Sequence, residues 1–214
     1  MLYELIVPFG RLWFRLLHHL RVLGIENMPA HGPALICSNH VSYLDPMVTV
    51  IGLPRKVHSL SRKEVYGSPV LGFFIRHLGG VRVSRDSLAD KSAIETVLAI
   101  MKRGEPCLIY PEGTRSPDGQ LQTPKNGAAF LAVKSGAPVI PMAVIGSYEC
   151  WPRRSRFCRP GPITIRIGEP VYYDLPGTRG CRREELSAIS ADIMSRIGTL
   201  LGMGHANDQG TSRD

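Results

Sequence analysis

Apolar and polar positions change their spacing several times along the chain, and each change marks an element. Over the first 24 residues, stepping about 100° per residue places Arg11, Arg15, His18 and His19 in one sector, with Arg21 beside it. Leu12, Trp13, Leu16, Leu17 and Leu20 fall in the opposite sector. This predicts an amphipathic helix over 1–24, of a kind that packs on a core or lies in the headgroup layer of an anionic membrane. Its Trp and Arg favour the membrane. Beyond Gly24, short apolar runs bounded by Gly and Pro predict strands at Ala34–Ser38, Val57–Leu60, Val81–Val83, Cys107–Tyr110, Val139–Ile145 and Ile163–Ile167. Helices are predicted at Pro46–Ile51, Ser87–Lys102, Pro124–Lys134 and Arg182–Leu201. Strands separated by helices indicate one α/β domain over 25–203, its central sheet covered by helices on both faces. The connection Gly67–Gly80 is unusually apolar and is expected to pack inside, with an acyl pocket or lipid contact as the alternatives. Residues 204–214 are small and polar and are expected to form a disordered tail.

Composition narrows the partners without choosing one. The 214 residues carry a net charge of +8, and 20 of the 26 basic residues are arginine. Arginine offers a planar fork of donors that suits phosphate and carboxylate. A nucleic acid, a membrane surface and an acidic small substrate all remain compatible with that charge. No recognisable reading motif and no interleaved aromatics accompany the basic residues, which argues against nucleic acid. The five cysteines, Cys37, Cys107, Cys150, Cys158 and Cys181, form no Cys-x-x-Cys pair, so buried reduced thiols are expected in a cytosolic setting, with no metal. No uncharged run approaches the roughly 20 residues of a membrane span, and Arg11 and Arg15 interrupt what would be the apolar part of a secretory signal.

Chemistry-bearing residues collect where predicted strands end, which is where α/β sheets place their ligands. After the first of these strands comes Ser38-Asn39-His40-Val41-Ser42-Tyr43-Leu44-Asp45-Pro46. Asp45 before Pro46 reads as a helix N-cap with proline in the first turn. The intervening turn can also bring its carboxylate to the His40 imidazole and fix the tautomer for proton abstraction. Tyr110-Pro111-Glu112-Gly113-Thr114-Arg115-Ser116 offers a close backbone approach at Gly113, hydroxyls and a bidentate cation, the makings of a phosphate cradle. A Glu112–Arg115 pair within a polar turn is the alternative. Gly79-Gly80-Val81-Arg82-Val83-Ser84-Arg85 sets two arginines on and just beyond a short predicted strand, where they could meet an anion. Cys37 is expected to be a buried thiol rather than a nucleophile. The stretch Trp151–Arg159, with Arg153, Arg154, Arg156 and Arg159, reads as a solvated loop, a contact to anionic lipid, or a site for the phosphates of a donor.

Asn39-His40 with Asp45, Gly79–Arg85, Tyr110–Ser116 and Ala137-Pro138-Val139-Ile140-Pro141 follow one another in the order and approximate spacing of four blocks of the glycerolipid acyltransferase family, which the chain resembles from about Gly24 to Val171. Lys125 and Gly127 resemble the basic and small residues that follow the third block. Tyr110 stands where Phe is common, and Ser84 where an acidic residue often precedes the arginine. The resemblance implies a glycerol-3-phosphate acyltransferase-like fold with a mixed sheet. It also implies movement of a fatty acyl group from acyl-CoA or acyl carrier protein to the sn-2 hydroxyl of a lysophospholipid, 1-acyl-glycerol 3-phosphate, without metal or cofactor. On that reading His40 is the general base oriented by Asp45, while Arg85, Glu112, Gly113, Thr114, Arg115 and Lys125 bind the acceptor. The protein is then expected at the cytoplasmic face of a membrane as a peripheral protein. Glycerol 3-phosphate or a lyso-aminolipid are the alternative acceptors, and a non-catalytic basic membrane-binding protein is the reading from another class.

Overall fold

The computed structural model describes residues 2–62, 66–67, 69–83, 91–173 and 182–206. In chain order the elements are α1 (Leu2–Leu17), β1 (Arg21–Leu23), β2 (Leu35–Ser38), α2 (Asp45–Gly52), β3 (His58–Arg62), α3 (Pro69–His77), β4 (Gly80–Val83), α4 (Lys91–Lys102) and β5 (Cys107–Ile109). They continue with α5 (Gly127–Ser135), β6 (Val139–Ile145), α6 (Ser147–Cys150), β7 (Thr164–Ile167) and α7 (Arg183–Ala206). The strands form one sheet in the order β1-β7-β6-β2-β5-β3-β4. Strands β6, β2, β5, β3 and β4 run parallel, whereas β7 is antiparallel to β6 and carries β1 parallel beside it. The sheet is therefore mixed, as the resemblance implies.

Alternation across the pleat sends neighbouring residues to opposite faces and builds two cores. Ile36, Leu108, Ile140, Met142 and Val144 join residues of α1 and α2 on one side. Leu35, Cys37, Cys107, Ile109 and Val139 pack against α4, α5 and α7 on the other. Every residue of β2 is buried, because helices cover both faces of a central parallel strand. Parallel alignment also sends the loops after β6, β2 and β5 out side by side at one edge of the sheet, and those loops carry His40, Glu112 and Ser147.

The N-terminal segment differs from the single amphipathic helix expected over 1–24. Helix α1 stops at Leu17, His19 turns the chain with a φ of 44°, and Arg21–Leu23 enters the sheet as β1. His18, assigned to the polar sector, is buried, with its Nδ1 3.3 Å from the Gly161 carbonyl oxygen. Arg11 stays exposed but lies along α2, donating to the carbonyls of Ile51 and Leu53 at 3.1 Å each, at the carboxyl end of that helix. Those carbonyls lack helical partners, which explains the attraction of a guanidinium. Tyr3, Ile6, Val7 and Phe14 pack toward α2 and the sheet, and Gly10 permits the close approach, since a Cβ there would lie 2.8 Å from Ile51 Cδ1. The opposite stripe, Leu5, Phe9, Leu12, Trp13 and Leu16, is 54–72% exposed. The helix thus packs one apolar side and leaves another in the open.

Three smaller differences follow from local chemistry. The Gly67–Gly80 connection contains a helix, α3, whose Gly72 lies against the Tyr66 backbone and whose Phe73 is exposed. Helix α5 begins at Gly127 rather than Pro124, and the Lys125 amide ahead of it donates to the Pro111 carbonyl at 2.8 Å. Helix α7 passes Leu201 and reaches Ala206. The start predicted for α4 at Ser87, most of the tail, Cys181 and Arg85 lie outside the described residues.

Candidate active site

His40 and Asp45 meet at the carboxyl end of β2. The His40 Nδ1 lies 2.9 Å from Asp45 Oδ2, with side-chain exposures of 16% and 0%. The same Oδ2 accepts the amides of Val41 and Ser42, each at 2.7 Å. Oδ1 accepts the Ser147 hydroxyl at 2.6 Å. A carboxylate only accepts, so Nδ1 carries the hydrogen and Nε2 the lone pair. This geometry corrects the expected cap: Leu44 occupies the N-cap of α2 and Asp45 makes no capping bond to the helix. The carboxylate instead reaches back to amides that precede it, closing the turn on the imidazole. Asn39 pins the start of that turn, donating to the Val144 carbonyl at 3.0 Å and accepting the Val144 amide at 2.8 Å.

A second loop holds His40 from the other side. The Tyr110 ring stacks on the imidazole, with centroids 3.9 Å apart and planes inclined by 15°. Glu112 is buried and spends both oxygens on backbone, accepting the amide of His40 at 2.8 Å and that of Gln122 at 2.9 Å. The Ser116 amide donates to the His40 carbonyl at 2.7 Å. Both backbone polar groups of His40 are therefore tied to the Tyr110–Ser116 loop. Desolvation, with the Asp45 charge nearby, raises the Glu112 pKa to about 7 against the two amides, which pull it downward. The alternative Glu112–Arg115 pair is not formed; the carboxylate faces amides instead.

Arg115 lies with its guanidinium carbon 3.6 Å from the centroid of the Tyr43 ring. Its buried Nη1 finds no hydrogen-bond partner. Such a donor favours an incoming anion, since leaving it unmade is costly. Gly113 has a φ of 71°, and a Cβ on it would lie 3.0 Å from Lys125 Cδ and 3.2 Å from Nζ, so the bare glycine leaves room for that lysine. Thr114 is exposed. The structure thus gathers His40, Asp45, Glu112, Gly113, Arg115 and Lys125 around the ends of β2 and β5. Strand β4 ends at the same edge. Cys37 is fully buried on the opposite face of β2, where desolvation pushes its thiol up to about 12, an inert environment. Among the described residues no three His, Cys, Asp or Glu side chains gather as a metal site.

Along the chain nothing marks Ser147, Gln122 or Tyr43 for a role. Ser147 follows Gly146 at the carboxyl end of β6, the strand adjacent to β2. Its place after a strand was the available signal, but only the strand order makes it a neighbour of Asp45.

A mixed α/β sheet with a histidine–carboxylate pair, a buried glutamate and an arginine at one edge defines a class, and the chain belongs to the acyltransferase family, whose model, described as Acyltransferase, matches residues 19–145. It is similar to a chloroplastic 1-acyl-sn-glycerol-3-phosphate acyltransferase of Brassica napus, with 31% identity over 71% of this chain and 44% of the relative. The 1-acyl-sn-glycerol-3-phosphate acyltransferase of Bacillus subtilis is 29% identical over 85% of this chain and 87% of its own. The crystal structure of the 1-acyl-sn-glycerophosphate acyltransferase PlsC from Thermotoga maritima superposes with a TM-score of 0.73 and 28% identity, covering 92% of this chain and 79% of that one. The chain spans about half the length of the plant relatives it matches, and 87% and 79% of the Bacillus and Thermotoga proteins.

Proposed function

We propose that this protein transfers a fatty acyl group from an acyl thioester, acyl-CoA or acyl carrier protein, to the sn-2 hydroxyl of 1-acyl-glycerol 3-phosphate, producing phosphatidic acid. The observation that carries this reading is the His40–Asp45 pair, with its carboxylate wholly buried and its two oxygens held by four donors. His40 Nε2 takes the hydroxyl proton as the acceptor oxygen bonds to the thioester carbonyl. The imidazolium then returns that proton to the departing thiolate. Asp45 stabilises the imidazolium between these steps, and Tyr110, Glu112 and Asn39 keep the ring in position. A general base supplies roughly 10²- to 10⁴-fold in rate, and positioning both reactants contributes further.

Arg115 binds the acceptor phosphate through its otherwise unpartnered Nη1, supported by Lys125 and Thr114 and, as the resemblance implies, by Arg85. Glu112 acts through the His40 backbone, and Gly113 leaves space for Lys125. The exposed stripe of α1 enters the headgroup layer of an anionic membrane at its cytoplasmic face, bringing the site to its lipid acceptor. Among the described residues no helix is long and apolar enough to cross a membrane.

The test incubates purified protein with labelled acyl-CoA or acyl carrier protein and a panel of lysolipids. Acylation of 1-acyl-glycerol 3-phosphate by the wild type and its loss in His40→Ala are expected. Turnover of other acceptors alone, or full activity of the alanine variant, refutes the assignment.

A further inference from the structure

The arginine-rich stretch after α6 forms an ordered projection rather than a free loop. Trp151 is held by the Ser42 hydroxyl on its carbonyl at 2.7 Å, and its indole donates to the Ser155 carbonyl at 3.2 Å. The Arg159 amide returns to the Cys150 carbonyl at 2.8 Å, closing the excursion. Within it Arg153, Arg154, Arg156 and Arg159 are all exposed, and none pairs with a carboxylate among the described residues. Phe157 stands among them at 77% exposure, the highest of the large apolar side chains described as exposed. Water gives a phenyl ring no reason to be there, and unpaired arginines repel one another across so short a span.

The projection adjoins the end of α1. His18, just beyond that helix, approaches the Gly161 carbonyl oxygen at 3.3 Å and the Cys158 Sγ at 3.9 Å, and the Ile163 amide donates to the His18 carbonyl at 2.8 Å. At its other end Trp151 packs on Tyr43, with centroids 5.3 Å apart, and Tyr43 carries Arg115. The projection thus joins the end of α1 at one side and the candidate active site at the other.

From this continuity we infer that Trp151–Gly161 is a second membrane contact, in which Arg154, Arg156 and Arg159 bind anionic headgroups and Phe157 enters the interface. The inference rests on the proposed attachment of α1 and adds to it. Helix α1 supplies apolar depth that does not depend on lipid charge, while the projection makes binding respond to anionic lipid. Two contacts also fix the tilt of the domain, as one helix lying in the interface cannot. Each basic residue at an anionic surface contributes about a fivefold gain in partitioning, and the gain is screened beyond a Debye length of about 8 Å at physiological salt.

The test measures sedimentation of the full chain with vesicles of phosphatidylcholine, alone or mixed with phosphatidylglycerol. The triple variant Arg154→Gln, Arg156→Gln, Arg159→Gln is expected to lose about a hundredfold in binding to the mixed vesicles and little on phosphatidylcholine alone. Its turnover of a water-soluble short-chain acceptor, and its KM for the soluble thioester, are expected to stay at the wild-type values. Phe157→Ser is expected to weaken binding to both kinds of vesicle. Unchanged binding of the triple variant to mixed vesicles overturns the inference. A raised KM for the thioester with vesicle binding intact overturns it too, and gives the arginines to the donor. The variant Leu12→Ser, Trp13→Ser, Leu16→Ser, measured on phosphatidylcholine alone, tests α1 separately, so failure of one contact is not mistaken for failure of the other.

Discussion

Asp45→Asn isolates the charge of the candidate dyad from its geometry. Oδ2 accepts from His40, Val41 and Ser42, and Oδ1 accepts from Ser147. Asparagine reproduces this arrangement in one orientation only: its carbonyl must face the two amides, since its NH2 group there would oppose two donors. The His40 tautomer is thereby kept, and the NH2 group donates to a rotated Ser147 hydroxyl. What disappears is the negative charge next to the imidazolium that forms during transfer. Two unit charges about 4 Å apart at an effective dielectric constant of about 20 interact by about 4 kcal/mol, or roughly a thousandfold in rate. The remaining carbonyl dipole recovers part of this, so kcat should fall by about 10²- to 10³-fold, with KM for either substrate little changed. Release of free thiol, followed with a chromogenic thiol reagent, measures the rate, while circular dichroism and thermal melting establish that the variant is folded. A folded variant within tenfold of the wild-type kcat refutes the assignment of Asp45 as the stabilising charge.

Two further changes probe the groups around the dyad. Burial lifts Glu112 from 4.5 to about 7, so its folded value lies above its unfolded one and the ionised form is the one that folding disfavours. The group's contribution is largest below pH 4.5 and declines by about 3 kcal/mol as pH rises to 7; urea unfolding across that window should show the wild type losing stability relative to Glu112→Gln, and a constant difference refutes the shift. Arg115→Gln should raise KM for a phosphate-bearing acceptor by about 10- to 100-fold, the range of one charge-assisted hydrogen bond, with kcat nearly retained; steady-state kinetics in which KM stays constant would remove Arg115 from the phosphate site.

Much of the sheet was legible because its signals are local. Buried strands such as Leu35–Ser38 and Val139–Ile145 are continuous apolar runs ended by Pro, Gly or polar residues, and they form where the runs lie. Strand β1 was not legible: three residues beside a basic helix offer no period to read, and it exists because β7 provides an edge at Thr164–Arg166. The inner contacts of α1 were not legible for a similar reason. A helical wheel separates Arg11 from Leu12 but contains neither the carbonyls of Ile51 and Leu53, to which Arg11 donates, nor the burial of His18.

The same division holds in the site. His40 and Asp45 lie five residues apart, close enough for the sequence to suggest their encounter, and the four ordered blocks to suggest the family. The sequence alone therefore determined the types of chemical group available and the strand ends that would carry them. Which oxygen meets which donor was decided only by tertiary structure. Glu112 reaches His40 across 72 positions and Ser147 reaches Asp45 across 102, because β5 and β6 flank β2 and their following loops emerge together. Local spacing acts along the chain, whereas a buried carboxylate is satisfied by whatever donors the packed sheet brings to it, and no reading along the chain supplies that neighbourhood.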